Sequence, residues 1–352
     1  MANVYFSKKV TPETVSNLLY FSGISDVVRQ DDFSAIKLHF GERGNKGYIK
    51  PEFVRPVVKS IKKLKASPFL TDANTIYLGA RSDSVNHMLL AYGHGFGYEK
   101  VGCPVIIADG LRGNSYVEVD ITSGYKAKPK IFSKVKVANA IYYSDSIICM
   151  SHFKGHMGTG FAGALKNIGM GCASRAGKYE QHNAILPKVK IENCTSCGLC
   201  MKWCPGKAVS LPDKKSKIVF EAEKCIGCGE CFLVCKFRVF SIPWSAENFQ
   251  ERMVEYCAGV LKDKRVIYIN FLNNITKNCD CVSKNEESLT GDVGILSSTD
   301  IVAIDQASVD LINKSYGSDF FKSIWPEIDY SVQLEYAERL GLGSRKYEIK
   351  EI

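Results

Sequence analysis

Residues 146–167 read Ser-Ile-Ile-Cys-Met-Ser-His-Phe-Lys-Gly-His-Met-Gly-Thr-Gly-Phe-Ala-Gly-Ala-Leu-Lys-Asn. The first six form a short apolar run of strand length. A glycine-punctuated turn follows, and Ala-Leu-Lys-Asn opens what reads as a helix. A strand handed to a helix through a polar loop is the repeating unit of an α/β fold. The same grammar extends on both sides. Strands are expected over residues 3–6, 35–40, 68–71, 105–109 and 146–151. Helices are expected from Thr11-Pro12, where a cap precedes proline at the first turn, from Pro51, over 82–92 and over 133–143. After residue 243 the pattern resumes, with helices over 245–261 and 299–316 and strands over 265–271, 293–296 and 347–352. The predicted fold is α/β, a mostly parallel sheet with covering helices.

Between these stretches lies a different kind of sequence. Of 14 cysteines, eight fall between 194 and 235. They are spaced Cys194-x2-Cys197-x2-Cys200-x3-Cys204-Pro205 and Cys225-x2-Cys228-x2-Cys231-x3-Cys235. A secreted disulfide scaffold is a poor match, because the chain is long enough for an apolar core. Zinc ribbons use pairs of cysteines, not runs of four. Three cysteines at i, i+3 and i+6 can wrap one iron–sulfur cube while the fourth reaches a second cube. That spacing predicts two 4Fe-4S clusters, one on Cys194, Cys197, Cys200 and Cys235, the other on Cys225, Cys228, Cys231 and Cys204. The segment resembles bacterial-type two-cluster ferredoxins, with Lys236 where a second proline would stand. The expected organisation is an α/β core formed by residues 1–187 and 243–352, interrupted by a ferredoxin-like module over 188–242. Cys279-Asp-Cys281, in a polar stretch, is a further redox pair or metal site by expectation, with unreactive thiols as the alternative. Cys103 and Cys149 abut apolar runs and read as core residues.

The chain has 352 residues, 45% of them hydrophobic and 24% charged. This composition excludes disorder, collagen and coiled coil. No apolar run reaches the roughly 18 residues of a membrane span, and the first residues read as a strand rather than a signal peptide, so a cytoplasmic location is expected. The formal charge is +9. Two oxidised clusters at about −2 each would lower it to about +5. No nucleic-acid-binding module is recognisable, so the positive excess points to an acidic redox partner protein (a ferredoxin or reductase) or an anionic small molecule.

Three of the six histidines lie between 151 and 183. His152, Lys154, His156 and Lys166 are candidate catalytic groups, since histidine moves protons near neutral pH and a desolvated lysine can be a nucleophile or anchor. Gly158, Gly160 and Gly163, with Lys166 and His182, are the candidate cofactor-binding set. Glycines ahead of a helix let backbone N–H groups approach an anion. The following residues are loop rather than strand, which argues against a nicotinamide fold. Arg175 and Lys178 add positive charge. His39 and Arg43, beyond a predicted strand end, form a second patch.

The motifs Lys-Leu-His-Phe-Gly-Glu at 37–42, Ser-His-Phe-Lys-Gly-His at 151–156, Ala-Leu-Lys-Asn-Ile-Gly-Met-Gly-Cys at 164–172, Asn-Cys-Asp-Cys at 278–281 and Val-Ala-Ile-Asp-Gln-Ala at 302–307, with the cysteine run, resemble the domain of unknown function 362 family in its ferredoxin-bearing form. The resemblance spans nearly the whole chain and is almost silent on activity. A weaker similarity runs to the nickel-pincer lactate racemases, through Gly160-Phe-Ala-Gly-Ala-Leu-Lys166 flanked by His156 and His182. It implies that Lys166 holds a cofactor, His182 ligates a metal and His156 acts as acid/base. Two turn positions differ from that family, and His87 is the nearest counterpart of its second histidine. Three functions are therefore expected in order: an iron–sulfur oxidoreductase acting on a substrate or second, anionic cofactor in the α/β cleft, a non-catalytic electron carrier, and a nickel-pincer-type isomerase.

Overall fold

The computed structural model describes the whole chain except residues 183–185, 214 and 244–246. Eight strands form one sheet: β1 (Ala2–Ser7), β2 (Phe33–Lys37), β3 (Ser67–Asp72), β4 (Val105–Ile107), β5 (Ser146–His152), β6 (Arg265–Leu272), β7 (Gly294–Ser298) and β8 (Tyr347–Glu351). Their order is β8-β1-β7-β6-β5-β2-β3-β4. All neighbours are parallel except β7, which runs antiparallel to both β1 and β6. The α/β expectation therefore holds, and strands from both sides of residues 188–242 share the sheet.

The period of two along β5 explains why it sits inside. Ile147 and Cys149 enter one apolar layer, Ile148 and Met150 the opposite one, so both faces need cover. Helices Pro12–Phe21 and Pro51–Lys63 cover one face. The second buries Val54, Val57, Val58 and Ile61 at helical spacing. Helices Phe249–Leu261 and Ile301–Tyr316 cover the other. Each such aliphatic side chain removed from water contributes about 1.5–3 kcal/mol. Caps set the helix starts. Thr11 accepts from the Thr14 N–H, and Asp300 accepts from the Val302 and Ala303 N–H groups. Among the described residues no helix is long and apolar enough to cross a membrane.

Two expectations differ from the structure. Residues 133–143 are not one helix. Lys134–Ala138 is a strand paired with Tyr116–Asp120, and only Asn139–Tyr142 is helical. The Lys-Val-Lys-Val alternation there has the strand period. The helix expected to start at residue 245 is described from Phe249. Residues 245 and 246 lie outside the described residues.

Residues 188–241 leave and return at one neck, where Lys188 pairs with Ser241 and Val189 with Phe240. Inside, each half repeats a 3-10 turn, a cysteine loop, a left-handed glycine and a short helix. The turns are Ile191–Asn193 and Ala222–Lys224, the glycines Gly198 and Gly229, and the helices Leu199–Lys202 and Glu230–Val234. The buried apolar cluster of this unit is small: Cys200, Val209, Ile218, Val239 and Phe240.

A buried carboxylate docks the unit on the core. Glu230 is 1% exposed and accepts from Arg175 at 2.8 Å, from Arg112 and from Asn114 at 3.1 Å. Gly229 allows the approach, because a Cβ there would lie 2.0 Å from the Tyr179 ring. Glu230→Ala would strand the buried Arg175 guanidinium. The expected cost is about 3–5 kcal/mol, read as a lower denaturant midpoint with faster tryptic cleavage around 188–241; an unchanged midpoint and cleavage pattern would refute the docking role.

Candidate functional site

The chain order of the sheet reverses between β2 and β5. Two βα crossovers carry the chain outward from β2 to β3 and β4, and it then returns to β5 on the opposite side. In open α/β sheets the crevice for ligands lies beyond the carboxyl ends of the strands at such a reversal. A cavity of about 460 Å³ opens there, the size of a small-molecule site. His39, His152, Lys154, His156, Gly163, Lys166, His182, Cys279 and Cys281 all line it. The expected catalytic and cofactor-binding side chains thus converge. Lys37, Asp72, Arg81 and Lys178 also line the wall; of these, sequence reasoning points only to Lys178, as added charge. Asp72 is legible by the rule that points to His39, because it ends β3.

Two buried carboxylates fix the cations. Asp72 meets Lys37 at 3.0 Å and Arg81 at 3.4 Å. Burial opposes its charge, but Lys37 and the neighbouring His87, His39 and Arg81 hold the carboxyl well below its usual range. Asp280 meets Lys154 at 2.7 Å and His152 Nδ1 at 3.0 Å. Against the same burial, Lys154 and His152 hold it low. Lys178 Nζ donates to the Asn74 carbonyl at 2.6 Å, and burial brings its pKa down to about 8. Lys166 differs from all of these. Its ammonium has no hydrogen-bond or ion-pair partner among the described residues, and it faces the cavity.

The histidines are constrained. Both ring nitrogens of His152 face protein acceptors, the Asp280 carboxylate and the Asn273 and Asn274 carbonyls. It is therefore a positioning residue. His156 Nδ1 accepts the Gly158 N–H at 3.1 Å. An N–H can only donate, so the ring proton sits on Nε2. Burial first, then Lys166, pull its pKa well below the ordinary value. His156 thus offers the cavity a donor rather than a base. His182, past the end of helix Arg175–Gln181, stacks on Phe249 with ring centroids 4.6 Å apart. Burial and Lys166 lower its pKa to about 4. His87 does not line the cavity. It is fully buried behind Asp72, 3.7 Å from the carboxylate.

The glycine turn is used internally, which corrects the anion-cradle reading of Gly158, Gly160 and Gly163. A hairpin, Lys154–His156 against Gly160–Ala162, stands between β5 and the helix Ala164–Gly169. The first N–H groups of that helix, at Ala164 and Leu165, donate to the buried Asp305 carboxylate at 2.8 and 2.9 Å. Burial raises Asp305 to about 6. Gly163 is small because a Cβ would sit 2.4 Å from Asp305. Arg175 points to Glu230 rather than into the cavity, and Arg43 is exposed away from it.

Cys279 and Cys281, expected as a redox pair or metal site, both lie in the cavity wall. A turn closed by Val282 N–H to Cys279 C=O folds Cys279 and Cys281 together. Gly41 N–H donates to His39 Nδ1 at 3.0 Å, which leaves the His39 proton on Nε2, 3.4 Å from Cys281 Sγ. Gly41 is needed there: it has φ +81°, and a Cβ would lie 2.5 Å from the Tyr48 ring. The Cys279 thiol as donor, then Lys166 and His39, hold Cys281 well below its ordinary value despite burial. The same contact and burial push Cys279 up. Cys103, Cys149 and Cys172 are buried in the core, with burial raising each to about 12.

In the inserted unit the thiols fall into two neighbourhoods. Besides burial, Cys228, Cys225 and Cys204 push up the Cys231 thiol. Cys200, raised by burial to about 11, feels Cys235 and Cys197. Cys204 therefore faces the second run, and Cys235 the first.

The family profile "Domain of unknown function (DUF362)" matches residues 35–310. No curated protein matches the sequence. Similar solved structures include the lactate racemase apoprotein from Thermoanaerobacterium thermosaccharolyticum, at 9% identity and TM-score 0.37, covering 76% of this chain and 50% of that one. A protein from Thermotoga maritima gives 11% identity and TM-score 0.35, covering 94% and 58%. This chain thus spans 50% and 58% of the lengths of those two proteins.

Thiolate reacts with alkylating agents and thiol does not. Iodoacetamide at about pH 6 should therefore modify Cys281 before Cys103, Cys149, Cys172 or Cys279, as read by peptide mass spectrometry. Equal or later labelling of Cys281 would contradict the site's electrostatics.

Proposed function

The chain belongs to the DUF362 family, and we propose that it is an iron–sulfur redox protein that passes electrons from two 4Fe-4S clusters to an anionic ligand in the cavity. The observation that carries this reading is the helix Arg175–Gln181. Arg175 and Tyr179 on that helix pack against the cysteine unit at Glu230 and Gly229. Lys178 on the same helix, and His182 just beyond it, line the cavity. Tyr179 also donates to the Ile76 carbonyl in the cavity wall. The helix is a shared wall between thiols and cavity.

The residues suit the cofactor. The donor set is all thiol, the soft choice for iron–sulfur clusters. The exchange of Cys204 and Cys235 between runs supports two cubes rather than two zinc ribbons. Among the described residues no three His, Cys, Asp or Glu side chains close on a single-ion position, which a cube, being larger than one ion, does not require. The small buried core of residues 188–241 also suits a unit whose folding depends on what its cysteines bind. When bound, such clusters relay single electrons. Cys197 is exposed and marks the side where a soluble redox partner, a ferredoxin or reductase, would dock. Cluster thiolates belong in a reducing compartment, so the proposed location is the cytoplasm.

The cavity distinguishes this reading from a simple carrier. Asp72, Glu42 and Asp280 answer Lys37, Arg81 and Lys154, and Lys166 is left without a carboxylate beside the donor His156. A carboxylate or phosphate on a small molecule would complete it.

Protein prepared without oxygen is expected to hold about eight irons and eight acid-labile sulfides per chain; about four of each after full reconstitution would refute the two-cluster reading. Lys166→Ala is expected to keep the iron and weaken inorganic phosphate binding about tenfold or more by calorimetry. Equal affinity in that variant would remove Lys166 from the site.

A further inference from the structure

The Cys279–Cys281 turn is not needed to hold clusters, because the cysteine unit supplies eight thiols of its own. It nevertheless lies in the cavity wall, on the loop between β6 and β7, and the fold invests heavily in placing it. Asp280, between the two cysteines, is anchored inward by Lys154 and His152. Its carbonyl accepts the Glu42 N–H at 3.1 Å. Asn45 holds the Val282 and Lys284 carbonyls at 3.3 Å each. Asp280 does not line the cavity, whereas Cys279 and Cys281 on either side of it both do. Both thiols then meet the cavity together.

Two chemistries could use a pair of thiols beside a histidine, and the hydrogen bonds decide between them. A metal on His39 Nε2 would require the ring proton to move to Nδ1. That nitrogen already accepts the Gly41 N–H, so a proton there would meet a proton. The ring is set instead to donate to the Cys281 sulfur. Lys166, Arg81, Tyr77 and His156 are the other charged or titratable groups whose fields act on Cys281 from the surrounding elements, together with His182. This is the environment of an attacking thiolate, not of a metal ligand.

We propose that Cys279 and Cys281 are a redox-active dithiol that reduces small anionic disulfides bound beside Lys166. The Cys281 thiolate attacks one sulfur of the bound disulfide. The substrate S–S bond breaks, a mixed disulfide forms at Cys281, and the first product thiolate leaves with a proton from solvent. The Cys279 sulfur, giving up its own proton, then attacks Cys281 Sγ. This closes the Cys279–Cys281 disulfide and expels the second thiol. The substrate gains two electrons and two protons: both electrons and one proton come from the Cys279 thiol and Cys281 thiolate, and the other proton comes from solvent. Restoring the thiol–thiolate pair takes two electrons and one proton. Two one-electron carriers on the cysteine unit would deliver the electrons, and only this last step rests on the cluster reading above.

The test uses the full chain, prepared anaerobically and with its iron content measured on the same sample. Oxidised glutathione, which carries carboxylates, is the anionic probe, and cystamine is its cationic control. In the native chain the 279–281 peptide should lose two alkylatable thiols on reaction with oxidised glutathione. Cys279→Ser should stop at a stable glutathione adduct on Cys281, and Cys281→Ser should form no adduct at Cys279. Lys166→Ala should lower the ratio of the glutathione rate to the cystamine rate about tenfold or more, since any loss of Cys281 thiolate slows both reactions alike. An adduct on Cys279 instead, no loss of thiols, or cystamine reacting faster than oxidised glutathione in the native chain would each overturn the proposal. A sample that cycles its thiols without iron would overturn only the cluster reading. A sample with full iron and inert thiols would overturn only the dithiol.

Discussion

The site depends on one buried carboxylate, Asp280. It stands on the loop after β6 and takes hydrogen bonds from His152 at the end of β5 and from Lys154 in the hairpin beyond it. Residues more than a hundred positions apart are joined there. Without a carboxylate at that point, Lys154 would be an unpaired charge in a water-poor wall, at several kcal/mol of desolvation cost. With it, the loop carrying Cys279 and Cys281 is drawn down onto the sheet. The hairpin also lies flat against that loop, close enough that a Cβ on Gly155 would be 2.3 Å from the Lys277 carbonyl.

The same logic sets the character of the cavity. Buried cations are tolerated where a carboxylate answers them, and here the answers are unequal. Asp72 serves Lys37 and Arg81, and Glu42 shares Arg81. Asp280 serves Lys154. Asp305 could have served Lys166, since both belong to the Ala164–Gly169 neighbourhood. Instead it faces the helix start from below and satisfies backbone N–H groups. The internal carboxylate therefore occupies the place that an anionic ligand would take in a nucleotide-binding turn, and Lys166 in the same turn keeps its charge for the cavity. A glycine pattern that suggests phosphate binding is in fact close packing, of Gly163 on Asp305, Gly160 on Tyr330 and Gly158 on Phe249.

Much of the fold is legible because its signals are local. Apolar runs of strand length, Thr11-Pro12, Pro51 and Asp300 each act within a few residues, and those elements form where expected. The segment 133–143 misleads because two short elements of different period lie end to end. The candidate side chains are legible as types near strand ends, and they do converge. Their roles are not, because a role depends on partners distant in sequence. Nothing in the sequence around His156 says that Gly158 will fix its proton on Nε2, and nothing around His152 says that Asp280 and two carbonyls will occupy both its nitrogens. Arg175 likewise looks like ligand-binding charge, and its partner Glu230 lies 55 residues away.

That last pairing shows what the buried basic residues do. A positive chain could be read as a surface for polyanions, yet two of its arginines are turned fully inward. Arg81 and Arg175 are among the largest fully buried side chains, each held by carboxylate. Arg175 secures the cysteine unit to the helix that forms the cavity wall, and Arg81 braces the wall opposite. Lys166 lies in the cavity with no carboxylate on it, in the field of Cys281 and beside the donor of His156. A cation placed so next to a thiolate suits a small anion that must be held while its neighbouring bond is attacked. The buried basic residues are therefore scaffolding for one small pocket.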